Sequence, residues 1–417
     1  MPKVLSCQSK ANHEGSILIL NRSHPELIAF ARYLSEMNHD FVILTNLVIQ
    51  ERLYRWIQLL SRLAPNLDFK IKKRVIPNIS KKSRVISANI VQDILYRLCH
   101  RLKFVRLQKL LLSWQDKRFQ KRQNWILNIL KPQIIVASEA INFDIIPNSR
   151  IVLISFHGHP IYINSIRNLA SKKHPDWTDP EPILHDYARI FQVANEIVSL
   201  SHFSANGIKI VEGNTVTTKV IPVGPLLFPE SDYSDQMSQE RRVNFTFLGR
   251  MTMMKGLPNF IRLAEEFRSE ADFNLCGHCT REIQERLLAI RNQSLHINFA
   301  PSGKVLREIL HRTDAYISPS YYEGFGIAAL EAMTFGCIPI CSSHSAAPEI
   351  LSNSPLVEFI FDPYSFEDLS RKVERFLKIP PSERNYLKLE AQKIAKDYSY
   401  SHFSRHLAEY VLGTAVK

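Results

Sequence analysis

The stretch from Tyr321 to Ile340, YYEGFGIAALEAMTFGCIPI, leaves the chain few ways to fold. Ala315 to Ser318 reads as a strand, Pro319 and Ser320 turn a corner, Glu323, Gly324, Phe325 and Gly326 form a glycine loop, and a helix starts near Ile327. A strand that passes through a glycine loop into a helix opens a βαβ unit, and repeated units of this kind build a parallel sheet covered by helices. The glycines let backbone approach a ligand. The unpaired N–H groups and partial positive charge of the helix start face the same place, so the loop reads as an anion site suited to phosphate. The carboxylates of Glu323 and Glu331 would repel phosphate and need another partner. A vicinal diol supplies one, because a carboxylate accepts two hydrogen bonds. Either acid alone is an ordinary exposed side chain; the pair beside a phosphate site points to a nucleotide sugar.

The same rhythm recurs on both sides. Ser16 to Asn21, Phe41 to Thr45, Gln133 to Ala137, Ile151 to Ser155 and Glu196 to Leu200 read as strands, with helices expected over Pro25 to Met37 and Leu184 to Asn195. A second series starts at NFTFLGRMTMMKGLPNFIRLAEEF, behind an acidic linker from Glu230 to Glu240. At 417 residues there is room for two domains, and 45% hydrophobic with 22% charged residues are globular values. MPKVLSCQSK lacks a signal-peptide core and no long uncharged apolar run occurs, so the expectation is a cytoplasmic protein. The six cysteines, CGHC at 276–279 included, read as buried thiols rather than as a zinc or redox centre.

The net charge of +13 is concentrated. Between Glu51 and Lys131 there are 20 Lys or Arg against 4 acids, a local balance of +16. Within ILYRLCHRLKFVRLQKLLLSW, residues Ile94, Leu95, Leu98, Leu102, Val105 and Leu112 share one helical arc, on which Arg106 and Lys109 intrude. Two readings stand: helices packed on the first domain with solvated cations, and a helix lying on an anionic membrane surface, at the inner face of the membrane. Nucleic acid is not indicated, since no binding module or zinc spacing accompanies the charge.

Two further positions carry chemistry. Arg250 and Lys255 stand five residues apart across a short loop between a strand and a helix, so two cations and a helix start converge. His157 lies just past the carboxyl end of the strand at Ile151 to Ser155, where open α/β sheets bind ligands.

With its E-x7-E pair, Glu323 and Glu331 within EGFGIAALEAMTFGCIPI, the chain resembles the retaining glycosyltransferases of the GT-B fold, group 1 or family 4. FLGR followed by KG resembles that family's diphosphate clamp, SLSHFSANGI its Ser-x-x-Ser helix start and VIPVGP its hinge. The likeness is dense from about Ser199 to Glu349 and only a rhythm over the first 150 residues. Ala346 and Ala347 stand where the family has a glycine-containing loop before Pro-Glu, and SKANHEG is a poor match to its first glycine loop.

The resemblance implies two facing Rossmann-like domains with a cleft between them: an acceptor-side domain over 1–225, a nucleotide-sugar domain over 226–395, and a final helix over 396–417 crossing back. It implies a retaining, metal-independent transfer from a nucleotide-diphosphate sugar to a glycan or lipid-linked hydroxyl, with no cofactor. Arg250 and Lys255 would neutralise the departing diphosphate, Glu323 would hold the donor sugar, Glu331 the ribose and His157 the sugar from the other domain. Gly249, Gly324, Phe325, Gly326 and Ile327 complete the implied donor contacts. His159 has no counterpart. The rival readings are a non-catalytic membrane adaptor on the same scaffold and a pyridoxal-phosphate sugar phosphorylase.

Overall fold

The computed structural model describes residues 17–22, 24–45, 49–50, 75–76, 83–87, 105–139, 141, 146–177, 188–213, 216–229, 241–301 and 303–413. The SKANHEG loop, the linker from Glu230 to Glu240, and the basic segment ahead of residue 105, apart from 75–76 and 83–87, lie outside them. The chain divides into two compact units: one takes residues up to Ile154 with Val193–Asn195 and Ala408 onward, the other Ser155–Gln192 and Glu196–Leu407.

In the first unit, β1 (Ile17–Asn21), β2 (Phe41–Thr45), β5 (Arg84–Ser87), β6 (Ile134–Ser138) and β7 (Arg150–Ser155) pair in parallel in the order β5-β2-β1-β6-β7. β3 (Ile49–Gln50) and β4 (Val75–Ile76) form a separate parallel pair. β1 is buried along its whole length and β6 and β7 along nearly all of theirs, as expected of parallel strands covered on both faces. Helix Pro25–Glu36 starts where Asn21 closes the turn, its Oδ1 accepting from His24 N and its Nδ2 donating to His24 O, each at 2.9 Å. Proline at the first turn loses no bond there. Leu27, Phe30, Ala31 and Leu34 return at helical spacing to the buried face.

Helix Val105–Leu130 corrects the expected arc. Its buried stripe is Leu111, Gln115, Phe119, Gln123 and Ile126, whereas Leu112 is exposed. The phase follows Phe119, whose ring is covered by Arg22 at 5.6 Å while Arg22 pairs with Asp116 at 2.8 Å. The expected helix to Asn195 stops at Val193, because Asn195 is taken up by β7: its Oδ1 accepts from Ile151 N at 2.7 Å and its N donates to Ile151 O at 3.0 Å. Arg150 ties down the end of helix Tyr400–Leu412 by donating to Val411 O (2.7 Å) and Tyr410 O (3.2 Å), carbonyls a helix end leaves unsatisfied.

In the second unit, β8 (Glu196–Ser199) and β9 (Thr217–Val220) pair in parallel. A six-stranded parallel sheet follows, made of β10 (Val243–Leu248), β11 (Ala271–Gly277), β12 (Leu295–Phe299), β13 (Ala315–Ser318), β14 (Ile338–Ser342) and β15 (Ile360–Phe361). Its order is β12-β11-β10-β13-β14-β15. Phe245 stacks on Phe273 at 5.2 Å and meets Phe376 edge-on at 5.4 Å, filling the layer between the sheet and helix Phe366–Leu377.

His159 is wholly buried at the start of helix Pro160–Lys173, with Nδ1 accepting from Ile161 N and Nε2 2.8 Å from Glu212 Oε1. That pattern suits the neutral ring donating through Nε2. Burial lowers its pKa, against the opposing pull of Glu212. Since the unfolded ring takes up a proton near pH 6.5 and the folded ring resists, protonation favours unfolding and stability falls as the pH drops below that value. The urea midpoint should therefore decline between pH 7.5 and 5.5, and decline less in His159→Gln; parallel declines would contradict this account.

Candidate functional site

The strand order of the second sheet creates the site. The chain runs outward from β10 through β11 to β12, then returns to place β13 on the other side of β10. Loops leaving the carboxyl ends of β10 and β13 therefore part in opposite directions, which is where open α/β sheets hold ligands. The loop after β10 carries Gly249, Arg250 and Lys255, and the loop after β13 carries Glu323 to Gly326.

The first loop is held by backbone. Gly249 N donates to Cys276 O (3.0 Å) and Met251 N to His278 O (2.8 Å). Thr252 then caps the short turn Met253–Lys255, its side chain accepting from Lys255 N. Gly256 ends that turn at φ +73°, so close to the β13 exit that a β-carbon would stand 1.9 Å from Pro319 O. Tyr321 N donates to Met254 O at 2.9 Å. These contacts bring the two loops together, and Lys255 Nζ lies 2.5 Å from Glu323 Oε2, with both side chains about three-quarters buried (21% and 24% exposed).

Other elements grip the second loop. Glu323 N donates to His344 O (2.9 Å), and His344 Nδ1 lies 3.0 Å from Tyr321 O, the geometry of a ring N–H donating to a carbonyl. The His344 ring stacks on Phe203 at 5.2 Å and meets Tyr364 edge-on at 5.4 Å. Ser201 caps helix His202–Glu212 by accepting from Ser204 N (3.0 Å) and donates to Gly324 O (2.5 Å). Glu349 accepts from His202 N (2.9 Å) and pairs with its ring. Gly324 is wedged in place: a β-carbon there would lie 2.7 Å from Phe156 O and 3.2 Å from the Cα of His157.

The predicted site residues thus have distinct placements. Lys255 and Glu323 are joined directly, and the backbone of His157, whose side chain is exposed, lies against Gly324. Arg250 is exposed on the same loop as Lys255. Glu331, on helix Ile327–Thr334, is half-buried, and its Oε1 accepts from Leu226 N at 3.3 Å, beside the VIPVGP segment. Phe325 is buried 6.2 Å from Tyr398, so its ring serves the packing of the loop. Gly326 and Ile327 form the helix start, which has no side-chain cap. The alanines that depart from the resembled pattern cause no strain: Ala346 has φ −76°, open to any residue, and Ala347 begins the turn Ala347–Ile350.

Four cysteines, Cys276, Cys279, Cys337 and Cys341, lie among the described residues, none of them in a disulfide. Burial pushes the thiols of Cys276 and Cys341 up to about 12 and raises those of Cys337 and Cys279, so all four stay protonated at neutral pH. Sequence reasoning missed His344 and the bond from Ser201 to Gly324. His344 had one signal, its place just past the carboxyl end of β14, but only the strand order puts β14 next to β13.

Comparison with known proteins bears on the family and the fold. Residues 232–394 match the family described as glycosyl transferases group 1. Glycogen synthase of Thermodesulfovibrio yellowstonii is 26% identical over 177 residues, which are 40% of this chain and 34% of that relative, so the match spans about a third of its length. Sucrose-phosphate synthase of Thermosynechococcus elongatus superposes with a TM-score of 0.64 at 12% identity, covering 96% of this chain and 98% of the other. A structure of Anabaena HepE in complex with UDP and glucose superposes at 0.57 with 15% identity, covering 96% and 100%. The fold is GT-B, as the resemblance implied.

Gly256 gives a direct test of how the loops are joined. Gly256→Ala should cost about 2 to 4 kcal/mol, combining left-handed backbone strain with the clash at Pro319. Gly413→Ala, just past the end of helix Tyr400–Leu412, has a similar φ of +67° and nothing within 4 Å of the added carbon, and should cost only about 1 kcal/mol. Equal losses in chemical denaturation would show that the approach to Pro319 is not constraining.

Proposed function

We propose, from the premise that residues 232–394 are a group 1 glycosyl transferase domain on a GT-B fold, that this protein transfers a sugar from a nucleotide-diphosphate sugar to a hydroxyl acceptor with retention of configuration. The observation that carries the reading is the contact of Lys255 Nζ with Glu323 Oε2 at the point where β10 and β13 diverge. One cation suited to a diphosphate and one carboxylate suited to hydroxyls stand side by side, which supports a single ligand that offers both. The Anabaena neighbour, solved with UDP and glucose, supports such a ligand.

In this reading the diphosphate lies against Lys255, Arg250 and the start of helix Ile327–Thr334. Glu323 exchanges the ammonium of Lys255 for hydroxyls of the donor sugar, which frees Lys255 for the phosphate. Glu331, which accepts from Leu226 N, would accept from the ribose diol in the complex. The bond from the anomeric carbon to the phosphate oxygen breaks, and the acceptor oxygen bonds to the same face of the oxocarbenium-like centre. The acceptor's proton passes to a phosphate oxygen, leaving nucleoside diphosphate and glycoside. Charge grows on the leaving group as that bond stretches, so fixed cations lower the barrier without a metal. Glu323 holds the sugar and is not the nucleophile, and His157 steadies the sugar from beside Gly324. The acceptor is a glycan or lipid-linked hydroxyl; the +16 carried by residues 51–131 favours the lipid-linked case at the inner face of an anionic membrane.

Lys255→Ala should lower kcat/KM about 100-fold or more, the scale of losing one donor to a developing oxyanion. Unchanged turnover would remove Lys255 from the reaction, and absence of turnover by the parent protein over a full donor panel would favour the adaptor reading. Glu331→Ala should act differently, weakening the preferred nucleoside diphosphate about tenfold in calorimetry with UDP, GDP and ADP. Equal affinity in parent and variant would take Glu331 off the ribose.

A further inference from the structure

Helix Val105–Leu130 has a second face. Beside its buried stripe run Leu107, Leu110, Trp114, Trp125 and Ile129, exposed by 46%, 68%, 54%, 50% and 64%. At 100° per residue these five side chains share an arc of about 100°, and from Leu107 to Ile129 the row extends about 33 Å along the axis. Half-exposed tryptophan is costly in water, and two on one helix face need an occupant. Lys117, Arg118 and Lys121 project between them and are likewise exposed. The helix has six Lys or Arg and one acid, Asp116, which is already paired with Arg22 at 2.8 Å.

We infer that this face lies on an anionic lipid surface, with Trp114 and Trp125 seated at headgroup depth and Lys117, Arg118 and Lys121 reaching lipid phosphates between them. The inference rests on the proposed function only in giving a lipid-linked acceptor a surface to be met on; binding itself does not require transfer. The chemistry selects lipid over other occupants. A protein interface of this size would be depleted of lysine at its centre, whereas here the cations sit in the middle of the apolar row. Nucleic acid would use the cations but has no place for Leu107, Leu110 and Ile129. At a bilayer interface tryptophan rings take the headgroup level, aliphatic side chains enter the acyl boundary and lysines reach outward to phosphate. No helix of the described residues is long and apolar enough to cross a membrane, and six cations keep this one on the surface.

The test uses the full chain and co-sedimentation with vesicles of phosphatidylcholine, alone or mixed with phosphatidylglycerol. The protein should bind the mixed vesicles, with a blue shift of tryptophan emission, and release the neutral ones. Trp114→Ala/Trp125→Ala should weaken partitioning about tenfold or more and abolish most of the shift. Lys117→Gln/Lys121→Gln should weaken it about 25-fold while leaving binding to rise again at low salt. All four positions are exposed, so the melting temperature and hydrolysis of a soluble donor should not change. The inference is overturned if either double variant binds vesicles like the parent, if the tryptophan pair instead holds a dimer seen by light scattering, or if a single-stranded oligonucleotide outcompetes the vesicles. Vesicle binding without donor turnover would count against the proposed function and leave this inference standing.

Discussion

An ammonium and a carboxylate 2.5 Å apart, one from each side of a diverging pair of strands, are the contact around which the second unit is built. Neither group reaches the other through local chain geometry. They meet because β10 and β13 are neighbours in the sheet, with Phe245 opposite Ala315 and Thr246 opposite Tyr316, and because Gly256 lets the first loop press on Pro319 where the second begins. A partly buried ion pair does little for stability by itself, since desolvation offsets much of its attraction. What it does is join the loops that follow β10 and β13 through two groups of opposite charge.

Around that pair the supports are mostly backbone. Glu323 is positioned by its own N–H on His344 O, Gly324 by its carbonyl on Ser201, and Lys255 by the capped turn that begins at Thr252. Aromatic contacts from Phe203 and Tyr364 fix the ring of His344, and Glu349 anchors the helix that carries Ser201. Locking loops through main-chain bonds fixes the backbone while the side chains of Lys255 and Glu323 can still exchange partners.

The helix from Val105 to Leu130 shows how far a hydrophobic pattern can be read. The sequence marks it as amphipathic and basic, yet the arc it suggests includes Leu112, which is exposed, and omits Gln115 and Gln123, which are buried. Helix phase is set by what the helix packs on. Here Phe119 is held under Arg22, a residue 97 positions earlier, and no local periodicity contains that information. Ala346 makes the opposite point: a departure from the resembled pattern proves harmless, because its φ of −76° never called for glycine.

From the sequence alone came β1, β2, β6, β7, β8 and β13 to within a residue or two, the helix starts at Ser201 and Ile327, and Arg250, Lys255, Glu323 and Glu331 as candidates. These are local properties: apolar runs, glycine and proline positions, capping side chains and motif spacing act over a few residues. The sequence did not give β4 and β5, which stand inside the stretch from Glu51 to Lys131 that reads as helical. The tertiary structure alone decided that β14 lies beside β13 and so delivers His344, that Lys255 pairs with Glu323 while Glu331 faces Leu226, and that Gly324 abuts His157. Each of these joins segments dozens of residues apart, and the order of strands in a sheet follows from how the whole chain packs its buried faces rather than from any single stretch of it.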